Sequence, residues 1–385
     1  MKIALVVYQF IKEKGGVERY VCNLAEQLFH KKYEVHIFTH HFPEKEDERF
    51  TFHYVPAISF WSPLKYWTFA VNAPKIVKKT GIPFDIIHGF TQTLHQDIYR
   101  VGGGCHWDYM LHTYPLMKTA IGKILLCLNP RHLGLLLLEK KIFKKKRYKQ
   151  VTCISEMCKE ELMAHYKIPP EDIVVIYNGV DTNFFTPDNR LKYRDTIRSL
   201  YGVGPNDILL VFVGSGFKRK GLIHVINALA MMDMQRNFKL LVVGKGDEKK
   251  FRSIAKERGI YERIIFAGTS KEVQKIYASG DIFVFPSEYD AFGTACLEAM
   301  ASGLPVIVSK ASGASEIIDD GKDGFVIEHP INAKEILNSL NALHEKEKRE
   351  QMGIAARHKS EKYSLDENIN KTLLIYQNLL CGKKY

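Results

Sequence analysis

The chain has 385 residues, 46% hydrophobic and 25% charged, with 27 Gly and 14 Pro, a composition that builds a core and excludes a disordered, collagen-like or fibrous polymer. The length exceeds one ordinary core and suits two domains of ~150–200 residues. The net charge of +12 is gathered in one place, because residues 118–150 hold ten Lys or Arg against Glu139 alone.

In chain order, Lys2 to Tyr8 reads as a buried strand rather than a signal peptide, since Gly15-Gly16 and a polar helix follow without a small-residue cleavage site. Val17, Tyr20, Val21, Leu24, Ala25 and Leu28 recur at helical spacing, and Glu34 to Thr39 predicts the second strand. Further strands are expected at Phe50 to Val55, Asp85 to His88, Ile98 to Val101, Val151 to Ile154 and Ile173 to Ile176. Alternation of β and α with Val/Ile-rich strands implies a mainly parallel, doubly wound sheet. After Asn178-Gly179-Val180-Asp181, a polar stretch to Asn206 reads as a linker, and the pattern restarts. Strands at Ile208 to Val213, Phe238 to Val243, Arg263 to Phe266, Ile282 to Phe285 and Pro305 to Val308 alternate with helices from near Gly221, Asp247, Lys271 and Thr294. Residues 333–357 read as helical, and Asp366 to Leu380 carries one apolar helix face. No apolar run approaches the ~20 residues of a membrane span. Seven irregularly spaced Cys predict buried thiols in a reducing compartment, and Cys153 with Cys158 gives little support to structural zinc.

In a pair of doubly wound domains, ligands are expected in the loops after the strands. Val213 to Gly221 follows a strand and opens a helix, offering backbone N–H groups and the charges of Arg219 and Lys220 to an anion. Leu222-Ile223 stands where a P-loop needs Lys and Ser/Thr, so a magnesium–triphosphate site fails, and a solvated basic turn is the plain alternative. A second loop, Phe285 to Gly293, carries Asp290 and leads into a helix bearing Glu298 one turn in. Carboxylates accept from sugar hydroxyls and amides donate to phosphates, so the cluster suits a ligand with both. Alone, Glu298 could simply complement the helix dipole.

The order Gly15-Gly16, Asn178-Gly179-Val180-Asp181, Arg219-Lys220-Gly221, Pro286-Ser287, Asp290 to Glu298, Ala299 to Val306, Gly313, Glu316 and Gly321 to Gly324 resembles the retaining nucleotide-sugar glycosyltransferases of family four. Within them the chain is most similar to the glucosyltransferases of the lipopolysaccharide inner core. The resemblance implies an α/β GT-B fold: two Rossmann-like doubly wound domains facing across a cleft, 1–175 on the acceptor side and 176–362 on the nucleotide-sugar side, with a C-terminal helix, 363–385, returning to the first. It implies that Arg219 and Lys220 hold a diphosphate, Glu298 the ribose, and Asp290 the transferred sugar. Backbone at Phe292, Gly293 and Thr294, with Gly214 and Ser215, would line the donor, and Gly15 and Gly16 would let the first domain approach the β-phosphate. Where the family usually has Glu, this chain has Asp290, so the sugar sits closer or Glu288 contributes. His106, in Gly102-Gly103-Gly104-Cys105-His106-Trp107, resembles a family histidine near the reacting centre, although fourteen other His exist.

The implied reaction moves a hexose, glucose from UDP-glucose by resemblance, to a hydroxyl of a lipid-linked glycan such as the lipopolysaccharide core. No Asp-x-Asp motif is present, so no metal and no other cofactor are expected; Arg219, Lys220 and helix N-termini would stabilise the departing diphosphate. Residues 109–149 interleave apolar side chains with the basic cluster, as at an anionic membrane surface, or as in a core helix with a solvated end. The expected location is cytoplasmic, peripheral to the inner face of the cell membrane. A dinucleotide dehydrogenase is disfavoured by the absence of Gly-x-Gly-x-x-Gly at Gly15-Gly16, and nucleic acid by the carboxylate pair; another GT-B enzyme, such as a sugar-nucleotide epimerase, is the nearer rival.

Overall fold

The structure, a computed structural model, describes residues 1–382 apart from positions 13, 46 and 234. The last three residues of the expected 363–385 segment lie outside the described residues. The chain divides into two compact units, Met1–Tyr177 with the residues from Ile369 onward, and Asn178–Asn368.

The first unit contains β1 (Lys2–Val6), β2 (Glu34–Thr39), β3 (Thr51–Tyr54), β4 (Ile86–Gly89), β5 (Ile98–Val101), β6 (Gln150–Cys153) and β7 (Ile173–Val175). They form one sheet in the order β3-β2-β1-β4-β5-β6-β7, every pairing parallel. β1 and β4 are direct neighbours, with Ile3 opposite Ile86, so the winding reverses between them. The Gly16–His30 helix forms because Tyr20, Val21, Leu24, Ala25 and Leu28 fall on one buried face. Across the sheet Ala4, Val6, Phe38 and Val55 pack on Phe69, Ala73 and Val77 of the Ser62–Lys79 helix.

The second unit contains β8 (Ile208–Val213), β9 (Phe238–Val243), β10 (Ile264–Gly268), β11 (Ile282–Phe285), β12 (Val306–Ser309) and β13 (Gly324–Ile327), ordered β10-β9-β8-β11-β12-β13 and again all parallel. Its core joins Leu210, Phe212, Leu240, Val284 and Ile307 of the sheet to Val225, Ile226 and Leu229 of the Leu222–Ala230 helix. Here the winding reverses between β8 and β11, and the loops that follow those two strands share the crevice where such sheets bind ligands.

The doubly wound GT-B architecture is therefore present, with three local corrections. The polar stretch read as a linker contains the Asn189–Leu200 helix, whose Arg194 and Arg198 pair with Asp281 before β11 at 2.7 and 3.0 Å. Its apolar content was too low for periodicity to reveal it. Residues 333–357 hold the Ala333–Ala342 helix and most of the Lys346–Glu361 helix. β13, a short edge strand after Gly321, was missed altogether.

Candidate active site

The two loops at the β8/β11 reversal carry the expected cationic and acidic residues, and their backbones explain why. Gly221 ends the first loop at φ +75°, and a Cβ there would stand 1.6 Å from the Pro286 carbonyl oxygen. Only glycine allows the two loops to touch at that point. Gly293 ends the second at φ +87°, where a Cβ would meet Ser312 Oγ at 2.9 Å. Each then caps a helix, Leu222–Ala230 and Thr294–Ala301, whose first N–H groups have no partner within the helix.

Contact between the loops continues through side chains. Arg219 Nη1 donates to the Tyr289 carbonyl at 2.8 Å, and the Arg219 carbonyl accepts from the Glu288 N–H at 2.8 Å. Lys220, buried, forms an ion pair with Asp290 Oδ2, its ammonium 4.8 Å from the Phe285 ring centroid. Burial, and after it the Arg219 charge, pushes the Lys220 ammonium well down, and the Asp290 carboxylate in contact opposes both by favouring the charged form. Glu288 is turned to His224 Nε2 at 2.5 Å. Of the two acids proposed for the sugar, Asp290 is the one facing the cation pair.

Asp290 is itself fixed from below. Its N–H donates to the Ala311 carbonyl at 2.9 Å, its carbonyl accepts from the Gly313 N–H at 3.0 Å, and its Oδ1 accepts from the Phe292 N–H at 3.3 Å. Glu298 is buried, and Tyr277 Oη donates to its Oε2 at 2.9 Å. Thr294 Oγ1 accepts from Asn178 Nδ2 at 3.0 Å, tying the Asn-Gly-Val-Asp segment to the same helix start. The Gly214 N–H donates to the Val243 carbonyl at 2.9 Å, so that amide is occupied within the fold, and Ser215 Oγ accepts from the Lys245 N–H at 3.2 Å. Tyr277 and Asn178 as side-chain partners were missed: each comes from another element, and no spacing signals the pairing.

Three expected residues lie in the first unit. Gly15, in extended backbone, and Gly16 open the Gly16–His30 helix. A Cβ on Gly102 would lie 3.1 Å from Val17 Cγ2, so the glycine loop before His106 runs against that helix start. His106 begins the His106–Thr113 helix; its Nε2 is 3.0 Å from Nδ1 of His132, and its N–H donates to Glu139 Oε2 at 3.3 Å. Burial, then His132 and Arg131, lowers His106 to about 4, which makes it a neutral imidazole at neutral pH. Glu139, fully enclosed and bonded by Tyr166 Oη at 2.6 Å, is raised to about 7 by burial. The structure thus unites Arg219, Lys220, Asp290, Phe292, Gly293, Thr294 and Glu298 in one unit, and Gly15, Gly16 and the His106 loop in the other.

Among the described residues one trio has metal-ligand chemistry, Cys105, Asp108 and His165, with ligand atoms within 4.8 Å of one another. His165 Nε2 and Asp108 Oδ2 are in direct contact at 2.7 Å, shorter than the ~3.4 Å that two ligands of a tetrahedral zinc would keep. All seven cysteines are free. The basic segment folds as the Ala120–Leu128 and Pro130–Lys144 helices, bent by 85°. Among the described residues no single helix is long and apolar enough to cross a membrane; together the bent pair reaches that length and composition.

Residues 14–184 match the family described as Glycosyltransferase Family 4, and residues 194–359 match Glycosyl transferases group 1. An uncharacterized glycosyltransferase of Methanocaldococcus jannaschii is 28% identical over 98% of both chains. The lipopolysaccharide glucosyltransferase WaaG of Escherichia coli is 25% identical over 87% of both. Among solved structures, a WaaG crystal structure superposes with a TM-score of 0.79 at 23% identity, covering 97% of this chain and 99% of that one. Anabaena HepE with UDP-glucose gives 0.71 at 18% identity, covering 97% and 100%. At those identities the likeness is one of fold.

Proposed function

Since the chain belongs to the GT-B glycosyltransferases, with a family 4 unit followed by a group 1 unit, we propose that it is a retaining hexosyltransferase using a nucleotide-sugar donor, UDP-glucose, and the hydroxyl of a lipid-linked glycan such as the lipopolysaccharide core. The observation that carries this reading is the Lys220–Asp290 ion pair beside Arg219. The acid neutralises a buried ammonium. An arriving diphosphate offers Lys220 a stronger partner, which releases the Asp290 carboxylate to accept from the sugar's hydroxyls. The same event therefore binds both ends of the scissile bond. Glu298, aimed by Tyr277, accepts from the ribose hydroxyls.

In this mechanism the bond from the sugar's anomeric carbon to the phosphate oxygen breaks first, and negative charge grows on the diphosphate. Arg219, Lys220 and the open N–H groups of the two helices stabilise that charge without a metal. The acceptor hydroxyl attacks the same face and gives its proton to the departing phosphate, so configuration is retained. Neutral His106 holds a sugar hydroxyl near the reacting centre. One relative supports the transferred sugar and the acceptor: WaaG is named a lipopolysaccharide glucosyltransferase.

The enzyme is further proposed to work at the cytoplasmic face of the membrane. On the Ala120–Leu128 helix Ile121, Ile124, Leu125 and Leu128 are all 60% or more exposed, with Lys123 among them. Apolar insertion, rather than charge at Lys144 to Arg147, is the stronger contribution, because Lys146 is already paired with Asp172 at 2.7 Å. The test is a panel of UDP-, ADP- and GDP-sugars scored for nucleotide release, with and without lipid-linked acceptor and with a chelator. Release only from another sugar nucleotide would reject UDP-glucose, and loss of activity on chelation would reject the metal-free mechanism.

A further inference from the structure

The second unit has a concavity at the other end of its sheet from the donor loops. Asp207 precedes β8, Asp281 precedes β11 and Pro305 precedes β12, and all three line a cavity of about 980 Å³. β8 has six residues, so the cavity lies about 20 Å along the strand from the loop that carries Arg219 and Lys220. Its side walls are the Asn189–Leu200 and Lys346–Glu361 helices.

The walls hold five Lys or Arg against three acids, a surplus of two positive charges. Arg190, Arg194 and Arg198, one helical turn apart, converge on the single carboxylate of Asp281 at 3.5, 2.7 and 3.0 Å. Asp281 Oδ2 also accepts from the Leu209 N–H at 2.8 Å, so both oxygens already carry two partners. Arg190 is the least well matched of the three, and its Nη1 goes to the Gly280 carbonyl at 2.7 Å. On the opposite wall Arg349 Nη1 donates to the Leu343 and His344 carbonyls at 2.8 and 2.5 Å. Among the described residues its Nε and Nη2 have no hydrogen-bond partner. Lys346, exposed in the first turn of the same helix, is 3.7 Å from Glu350, and Asp207 is paired with Lys239 at 2.9 Å. Burial, and after it the Arg194 charge, disfavours the charged form of Arg190, and burial disfavours that of Arg349. Neither guanidinium loses its proton near neutral pH, so the excess charge stays in the cavity. Pinning the Asn189–Leu200 helix to Asp281 accounts for Arg194 and Arg198, but not for Arg349 and Lys346 on another helix.

We propose that this cavity binds a soluble phosphomonoester, its dianionic head among Arg190, Lys346 and Arg349 and its carbon skeleton on Pro187, Pro305 and Ile354. A dianion matches the surplus of two positive charges, and the fork of Arg349 suits phosphate oxygens. The volume and the mixture of apolar wall with a few charged groups are those of a small-molecule site. The ligand would join the Asn189–Leu200 helix to the Lys346–Glu361 helix and thereby stabilise the second unit. Bound about a strand's length from the donor loops, it is not a substrate of the transfer proposed above, and the site stands independently of that reading.

The test is calorimetric titration of the full chain with phenyl phosphate, mostly a dianion near neutral pH, with phenyl sulfate, a monoanion of the same shape, and with inorganic phosphate. Phenyl phosphate is expected to bind about tenfold more tightly than either of the others. The R219A/K220A chain, whose other anion-attracting loop is disabled, should bind it equally well. K346E reverses a charge at an exposed helix start and should weaken phenyl phosphate about tenfold, as should R349Q, while K346R keeps the affinity. Arg349 also holds two carbonyls, so K346E decides the matter if R349Q does not fold. Melting temperature should rise with phenyl phosphate in the unaltered chain and stay level in K346E. Equal affinity for phenyl phosphate and phenyl sulfate, unchanged affinity in K346E, or loss of binding in a folded R219A/K220A chain overturns the proposal. So does displacement of the chain from phosphatidic acid vesicles by phenyl phosphate, since the occupant would then be a lipid headgroup. Nucleotide release by K346E without added phosphomonoester should match that of the unaltered protein.

Discussion

The two strand reversals are built on the same topology but neutralise their charges in opposite ways. At β8/β11 the buried cation has its own carboxylate, Asp290, and the loops are fixed by Gly221, Gly293 and a single β-bridge from Asp290 to Ser312. At β1/β4 the cation is Lys65, which lies on the rings of Tyr8 and Tyr66, and His106 of the same unit is neutral because burial keeps it so. The contrast teaches that one sheet end answers its buried cation with a carboxylate from the facing loop, and the other holds its cation on aromatic rings with no carboxylate in contact among the described residues.

That contrast can be broken most forcefully at the paired site. Replacing both Arg219 and Lys220 by Ala should lower turnover by at least ~10³-fold, about 4 kcal/mol of lost charge stabilisation, read as nucleotide release; full activity in this double variant would refute the assignment. Next in size is Gly221→Ala, which forces a Cβ onto the Pro286 carbonyl in left-handed backbone. A loss of about 1–3 kcal/mol or more is expected, seen as a lower melting temperature with weakened donor binding. Tyr277→Phe removes one hydrogen bond from Glu298 and should raise the donor KM about tenfold, on the order of 1–1.5 kcal/mol, with kcat nearly unchanged.

The smallest effect sharpens the other side of the comparison. His106 is depressed to about 4 from 6.5, so between those values the unfolded chain binds more protons, and its share of stability is lost as pH falls through that window. Glu139 is raised to about 7 from 4.5, so its share is present below 4.5 and lost as pH rises through 7. The two oppose each other across most of pH 4.5–6.5. Glu139→Gln removes one of them, and melting temperature should then fall more steeply on acidification than in the unaltered protein. Parallel melting curves against pH would show that the two groups do not act as adjoining titrations.

The parallel strands and both reversal loops were legible because apolar runs and glycines fix them locally: Ile208 to Val213 was read with its observed limits, and Gly221 stands where its motif puts it. Partnerships across elements were not legible. Tyr277 meets Glu298 from a different helix, and His132 meets His106 across 26 residues. The Asn189–Leu200 helix was hidden for a related reason, since it is held by arginines bonded to Asp281 and to backbone carbonyls rather than by an apolar face. Its stabilising contacts are polar, and hydrophobic periodicity does not detect them.

The Leu365–Leu380 helix passes from one unit to the other after Asn368, and beyond that point Thr372 reaches Tyr20 at 3.1 Å while Tyr376 Oη contacts His88 Nδ1 at 2.7 Å. On the ribosome, the half of the protein that emerges first must therefore wait for the last stretch to be translated before its own interior is closed. The half encoded in the middle has every piece it needs earlier and can finish folding ahead of the half that preceded it.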